Sequence, residues 1–579
     1  MRKGRQQVGD ISSQAEQHFD RHFSRRISNL VDVRRFVASW VVLMTLLIGF
    51  LVYQLIALPT QHEGFRPVSG GIYTEGIVGS FTNANPLYVA TPVDSAVSRL
   101  LFGSLLKYDS AGRLTGDLAV RWSVDEEGKT YKVVLREGLQ WHDGAPLTAD
   151  DVAFTYKTIQ NPDAKSPFFA AWQGVDVQVR DDRTILFTLP NVLASFPHAL
   201  TNGIVPKHLL ADTPAGQLRS IKFDTVNPVG SGPFRWEAIE VTGERPETRQ
   251  TQIALIPFVN YHGGMPQLDR FRIHTFNDTE TMVASFKDKE ITAMSGLSAV
   301  PSELEGQENV VDYDIPYMGE VGVFFRTSAE LLGDAKVRQA LTHSIAHKDV
   351  VDILPYPAAA ARSPLLKFHL GYNQDIQQLS FDMAKAVELL DGAGWTVGED
   401  GLRQKDGKKL TLNLLTQASD EFEAVAASLR EQWATVGVQV VVHTLPDEDL
   451  QRAVKQREYD MLLYGIAVGA DPDVFAYWHS SQADAVSSNK LNFSDYKSDV
   501  SDKALEDGRT RTDPELRTQK YKPFLEAWRD DAPALMLYQP RYIYISNDRV
   551  GGFYVRLLNT STDRYATVEQ WTIRKLQAP

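Results

Sequence analysis

The chain has no cysteine among its 579 residues. Disulfides, thiolate metal sites, cysteine nucleophiles and a lipid-modified N-terminal cysteine are therefore excluded. An excess of positive charge is missing too. Sixty Lys and Arg face 73 Asp and Glu, giving a formal net charge of −13, the wrong sign for an ordinary nucleic-acid binder. No HExxH, Walker A or GxSxG pattern occurs, so metalloprotease, nucleotide-hydrolysing and serine-hydrolase signatures are absent. Internal repeats and low-complexity tracts are absent as well. What remains is a composition, 43% hydrophobic and 23% charged, that belongs to a folded protein. Its length suffices for three or four domains of about 150 residues.

The charge that is present is unevenly spread. Residues 1–35 hold eight bases and four acids and read as a basic cytoplasmic tail. The run from Phe36 to Leu58 carries no charge at all. As a helix rising about 1.5 Å per residue it is long enough for a hydrocarbon core of about 30 Å. The positive-inside rule then places the N-terminus in the cytoplasm and the large acidic part outside or in the periplasm, as a single-pass protein. A cleaved signal peptide is the alternative. Its apolar region would be about 7–15 residues and end in a small-x-small site, whereas "YQLIALPTQ" is a poor one, so the uncleaved transmembrane helix is preferred. Residues 59–70 read as a short stalk with Pro and Gly and no periodicity.

Beyond the stalk, strand and helix signals mix. In "KTYKVVLREGLQW", Tyr131, Val133 and Leu135 alternate as in a half-buried strand. "VDVQVRDDRTILFTL" reads as a hairpin turning at Asp181 and Asp182. "LTADDVAFTYKTI" predicts a helix capped by Thr148, with Asp151 completing a carboxylate capping box. Further on, "DAKVRQALTHSIAHKDVV" repeats Val337, Ala340, Leu341 and Ile345 at helical spacing. "SFDMAKAVELLDGAGW" predicts a helix capped by Ser380 and ended by Gly392 or Gly394. From "KLTLNLLT" to "YDMLLYGIAV" the order is strand, helix, strand, helix, strand, which argues for a parallel sheet. Ligands of such sheets sit beyond the strand C-termini, which directs attention to "GADPDVFAYW".

Few residues propose chemistry. His343 and His347 fall four apart on one predicted helix and could be half a metal site, but no third ligand is suggested and a solvated face or a satisfied partner is preferred. Asp471 and Asp473 in "DPD" could meet a cation, although a turn leading into a helix is the commoner use. "GSGPF", Gly230 to Phe234, is a turn made for close approach and too short to cradle a phosphate. Aromatic clusters around Phe168, Phe169 and Trp172, and around Tyr317, Phe324 and Phe325, suit either a cleft or a core. No catalytic residue, metal or cofactor is expected, and the chain reads as a binder and not an enzyme.

Several stretches taken together resemble the family 5 extracellular solute-binding proteins, the dipeptide- and oligopeptide-binding components of ABC importers. Leu100 to Lys157 contains "LA-x-x-W", "D-x-x-G-K-T-Y-x-x-x-L-R-x-G-x-x-W-x-D-G" and "T-A-D-D-V" in order. "NGIVPKHLL", "NPVGSGPFR", "VRQALTHSI", "YDMLLYGIAVGADPDVF" and "APALMLYQP" come after it. The resemblance implies an α/β, two-lobed periplasmic-binding-protein (Venus-flytrap) fold of three domains, preceded here by one N-terminal transmembrane helix. It implies a first-lobe domain from 70–108, 226–318 and 538–579, an inserted domain at 109–225, and a second lobe at 319–537. It implies a short peptide or similar small solute held between closing lobes and passed to ABC permease subunits with their ATPases. The family's cleft positions fall at Thr91 and Pro92, Phe168 and Phe169, Ser295 and Gly296, Tyr317, Gly469, Asp471 and Tyr538. Three positions depart from the family pattern. Val468 stands where many members place an Asp for the peptide ammonium, Thr292 replaces the Asp of "G-E-I-D", and Arg326 replaces an Asn after the first lobe crossing. Arg326 could meet a ligand carboxylate, but a surface role is preferred. A membrane-tethered sensor or a peptide-binding scaffold is the alternative to import.

Overall fold

The computed structural model describes residues 40–41, 43–49, 67–243, 245, 249–483, 490–547 and 550–574. By contacts the chain divides into Met1–Arg66 with Lys575–Pro579, and Pro67–Arg574. In the first unit, 40–41 and 43–49 are helical, and Trp40, Leu43, Met44 and Leu46 expose their apolar side chains. The rest of the predicted span 36–58, the basic tail and most of the stalk lie outside the described residues. No helix among the described residues is long and apolar enough to cross a membrane.

The three largest of the six sheets among the described residues frame the second unit. The first has seven strands in the order Val310–Pro316, Arg541–Asn547, Ala293–Leu297, Ile72–Val78, Arg270–Phe276, Gln250–Pro257 and Phe234–Thr242. Ile72–Val78 runs parallel to both of its neighbours. Five successive residues of it are buried, as expected of a strand covered on both faces. The second sheet has six strands, with Ala534–Gln539, Gly319–Phe325, Met461–Ala467, Thr411–Gln417 and Gln439–Leu445 following Ala359–Ala360 at one edge. The third is a four-stranded antiparallel sheet of Ala119–Val124, Thr130–Leu135, Thr184–Thr188 and Asp176–Asp181.

The second sheet is mixed and not wholly parallel. Thr411–Gln417 is parallel to both Gln439–Leu445 and Met461–Ala467, as the strand-helix-strand pattern predicts. Gly319–Phe325 is antiparallel to Met461–Ala467 and to Ala534–Gln539. The reason is topological. Val310–Pro316 and Arg541–Asn547 pair antiparallel in the first sheet, and each continues, within three residues, into Gly319–Phe325 or Ala534–Gln539 of the second. One strand leaves the first sheet as the other returns.

Local sequence explains most helix ends. The helix Ala149–Ile159 begins at Thr148, whose N–H donates to Asp151 at 2.9 Å, as the capping box requires. Asp420–Ala434 is capped by Ser419 and buries Val425, Ala426, Leu429 and Trp433 on one face. The expected Ser380 cap is corrected by two residues. The helix is Met383–Gly392, Asp382 accepts from the Lys385 N–H at 2.9 Å, and the Ser380 carbonyl is taken by His343 Nδ1. A carboxylate is at least as good a cap as a hydroxyl, and here it stands closer to the apolar run.

The helix Pro92–Leu101 is fixed at both ends. Thr91 and Asp94 close a capping box at its start. The "GSGPF" turn clamps its end, where the Gly232 N–H donates to the Leu101 carbonyl at 2.7 Å. A Cβ on Gly230 would stand 1.9 Å from that carbonyl oxygen, so only glycine fits. Gly230→Ala is therefore expected to cost more than about 2 kcal/mol, because backbone and not a flexible side chain would have to move. Gly392→Ala has open space and lies in a helix, and is expected to be neutral or stabilising by up to about 1 kcal/mol. Denaturant unfolding of the two variants checks both values; equal effects would refute the account of the clamp.

Candidate functional site

A cavity of about 310 Å³ opens beside the strand crossing. Its walls come from four directions. The helix Pro92–Leu101 contributes Ser95, Ser98 and Arg99, which share one helical face by their spacing. The short strand Leu106–Tyr108 contributes all three of its residues. Phe168 and residues 201–203 belong to the stretch between Ile72–Val78 and Phe234–Thr242 that also carries the four-stranded sheet. Tyr317 and residues 560–563 close the side at the crossing. A buried ion pair holds that last wall in place. Arg564 meets Glu75 of the central strand at 2.7 Å, and the Tyr565 hydroxyl donates to the same carboxylate at 2.9 Å.

Behind the cavity lies Asp117, which is 2% exposed. Burial alone would raise its pKa, but Lys107, His262 and Arg99 outweigh burial and hold it well below the usual carboxylate range. Asp117 places its close hydrogen bonds elsewhere: Ser104 N–H at 3.0 Å and His262 Nε2 at 2.9 Å. Burial pushes the Tyr317 hydroxyl up to about 12, with Asp563 adding to the shift.

On the outer side, the Tyr108 hydroxyl meets His198 Nδ1 at 2.7 Å, and His198 Nε2 stands 3.7 Å from Asp471 of the second sheet's side. Asp471 is held by Arg517 through two bonds of 2.7 and 2.5 Å. Next to it, Ser195 donates to Asp473 at 3.1 Å and the Ala194 N–H donates to the Arg509 carbonyl at 2.9 Å. Arg509 also bonds Asp473 and stacks over Phe475. The segment 194–198 and the "DPD" turn therefore meet across the mouth. Both acids of that turn have arginine partners, and no cluster among the described residues could hold a metal.

The structure brings some of the expected contact residues together and spreads the others. Phe168 and Tyr317 line the cavity. Phe169 starts a four-residue helical turn behind Phe168 and is half-buried. Gly469 is not among the residues that line the cavity; it has a φ of +72°, and a Cβ there would meet Oδ1 of Asn559, the residue before the lining Thr560, at 3.3 Å. Its carbonyl accepts from His369 at 2.7 Å. Asp471 sits across the mouth. Thr91 caps its helix and donates to the Ser80 carbonyl, while Pro92 is exposed beside it. Ser295 is buried and donates to the Gly76 carbonyl, and Gly296 forms a bulge with φ of +77°. Tyr538 is fully buried and donates to Glu421 at 2.7 Å.

The structure corrects other expectations. His343 and His347 do not share a helix, because one ends at His343 and the next starts at His347. Their ring nitrogens bond the Ser380 and Met536 carbonyls. Arg326, for which a surface role is preferred above, lies at the far end of Gly319–Phe325 from the crossing, donates to the Arg457 carbonyl and does not line this cavity. Thr292 accepts from Thr74 and ties two strands together. Val468 is buried, and its N–H donates to Met318. Sequence reasoning missed Arg99, Lys107 and Tyr108. The polar stripe of Ser95, Ser98 and Arg99 on an otherwise buried helix was the available signal.

The family model of bacterial extracellular solute-binding proteins, family 5 Middle, matches residues 113–487. The oligopeptide-binding protein AppA of Bacillus subtilis is 28% identical over 526 residues, covering 88% of this chain and 93% of that protein. Its solved structure, in complex with a nonapeptide, superposes with a TM-score of 0.69 at 25% identity, covering 88% of this chain and all of the other. NikZ of Campylobacter jejuni in complex with Ni(L-His) superposes with a TM-score of 0.73 at 25% identity, covering 86% and 99%. The chain thus has the α/β fold of periplasmic binding proteins.

The histidine that supports Gly469 yields a pH test. Burial lowers the His369 pKa to about 4, so the folded protein keeps the ring neutral. Its Nδ1 accepts from the Leu366 N–H and its Nε2–H serves Gly469. The unfolded chain takes up a proton near pH 6.5, so stability is complete above that pH and is lost as pH falls toward 4. The contribution is on the order of 3 kcal/mol. His369→Gln is expected to flatten the loss of unfolding free energy between pH 7 and 5; an unchanged slope would contradict this.

Proposed function

The chain belongs to the bacterial extracellular solute-binding proteins of family 5, and from that premise we propose that it captures short peptides for an ABC importer while tethered to the cell membrane. Proteins of this family bind solutes and do not transform them. The observation that carries the reading is the walled cavity at the point where two sheets are joined by only two strand crossings. A volume of about 310 Å³ lies at the small end of the range for ligand sites, about 300–1,000 Å³, and suits a short peptide or a solute of that size. The names of the relatives, an oligopeptide-binding protein among them, support peptides as the solute class.

In this reading the first lobe is 70–108, 226–318 and 538–579, the inserted domain is 109–225 and the second lobe is 319–537. Phe168 and Tyr317 contact the solute from the first side. Gly469 and Asp471 approach from the second, with Thr91, Pro92, Phe169, Ser295, Gly296 and Tyr538 as the outlying expected positions. Closure presents the loaded protein to permease subunits. The uncharged run 36–58 anchors the chain, replacing the lipid tether that a cysteine would have provided, and keeps it near its permease at high effective concentration.

Native mass spectrometry of residues 60–579, purified without denaturation and then unfolded in the gas phase, tests the solute class. A set of masses resolving into short peptides is expected. A single non-peptide mass would overturn the peptide assignment, and no retained mass together with no peptide-induced thermal shift would favour a scaffold or sensor. The anchor has its own test. The full chain should stay in the membrane pellet after a carbonate wash, and a chain starting at residue 60 should not; release of the full chain would refute anchoring.

A further inference from the structure

Two cations in the cavity wall hold donors they do not use. Lys107 Nζ stands 3.8 Å from Asp117, and Arg99 reaches it at 4.0 Å. Both distances exceed the 2.7–2.9 Å of a charge-assisted hydrogen bond. Arg99 makes one long contact, 3.5 Å, to Ser104 Oγ, and Lys107 makes no side-chain hydrogen bond among the described residues. The close hydrogen bonds of Asp117 go instead to Ser104 and His262, at 3.3 Å or less. It nevertheless supplies enough field to keep two cations side by side, which would otherwise repel. Arg99 and Lys107 are 18% and 19% exposed in their side chains, and both line the cavity. Asp563, the acid among the lining residues, is committed to the Asn559 and Thr560 N–H groups. The charges of Arg99 and Lys107 are balanced by Asp117 and Asp563, but their N–H groups are left without close hydrogen-bond partners beside a space open to solute.

We propose that Arg99 and Lys107 are the specificity-determining pole of this cavity and that they receive a carboxylate of the bound solute. The proposal rests on the cavity being the solute site and adds the substrate class, a solute with a free carboxylate at the end seated here. Arginine suits that partner, since its planar fork can bind a carboxylate through two bonds. For a peptide the carboxylate is either the C-terminus or an acidic side chain.

The test uses the full chain and reads the thermal transition with and without solute. Four probes are compared: a tripeptide mixture as free acids, the same mixture as C-terminal amides, amides containing one glutamate, and small mono- and dicarboxylic acids. The free acids should bind at least tenfold more tightly than the amides in a subsequent calorimetric titration. Glutamate-containing amides matching the free acids would keep the pole and place the carboxylate on the side chain. Arg99→Gln and Lys107→Met should each bring the acid-to-amide ratio close to one, and Lys107→Arg should restore it. Acids and amides binding alike, or both variants weakening them in equal measure, would overturn the proposal. A response to the carboxylic acids without one to peptides would sink the peptide reading and keep the pole. A response to none of the four would sink the pole. The solute-free transition of each variant identifies one that fails to fold; the Lys107→Met and Lys107→Arg pair carries the comparison should Arg99→Gln be such a case.

Discussion

Two adjacent strands that each serve two sheets impose the constraint on which the rest depends. Val310–Pro316 and Arg541–Asn547 are paired in the first sheet, and their continuations are paired in the second. The joints are short: Tyr317 and Met318 in one, Pro540 in the other. Backbone bonds hold the joints together, with the Tyr317 N–H donating to the Pro540 carbonyl at 3.1 Å and Met318 accepting from Val468 and Gly469. Two sheets joined at one edge by so few residues can hinge there without breaking either ladder. The cavity sits beside the joint, so a small rotation at Tyr317 changes its walls first.

Charge is distributed around this joint in two separate systems. At the inner wall, Asp117 organises Arg99, Lys107 and His262 while leaving the two cations unsatisfied. At the mouth, Asp471 and Asp473 are paired with Arg517 and Arg509, and His198 and Ser195 reach them from the other side. The contacts across the mouth, His198 to Asp471 and Ser195 to Asp473, are polar and partly exposed, so each is worth about 1 kcal/mol or less. Such contacts can hold a closed form without preventing its opening. In the proposed reading the inner wall offers donors to the solute, and Asp471 approaches it already paired with Arg517.

Much of the fold was legible because local patterns agree with it. The alternation of Tyr131, Val133 and Leu135, the Thr148 box and the Trp433 face all appear where the sequence puts them. The antiparallel strands of the second sheet were not legible, because their direction is set by the first sheet, hundreds of residues away in one case. The site was read less well than the fold. Phe168 and Tyr317 line the cavity, but Asp471 reads as an acid free for a ligand only until Arg517, remote in sequence, is seen against it. The sequence pattern singles out neither Arg99 nor Lys107; what distinguishes them is the distance to Asp117, which depends on how a helix and a short strand are packed. His343 and His347 show the opposite error, a spacing that suggests a shared face where the helix in fact breaks between them.

The central claim is that two parts of the chain close over a solute at this joint. The absence of cysteine allows a direct measurement, since single labels can be placed at will. Labels at Glu126 and Arg511, both exposed, flank the place where a Cβ at Gly128 would stand 3.8 Å from Thr512. Pulsed dipolar spectroscopy between them should give a long, broad distance without solute and a short, narrow one with a saturating tripeptide mixture. A distance that is the same in both conditions, while the peptide demonstrably binds, would contradict closure and with it the account of the joint as a hinge.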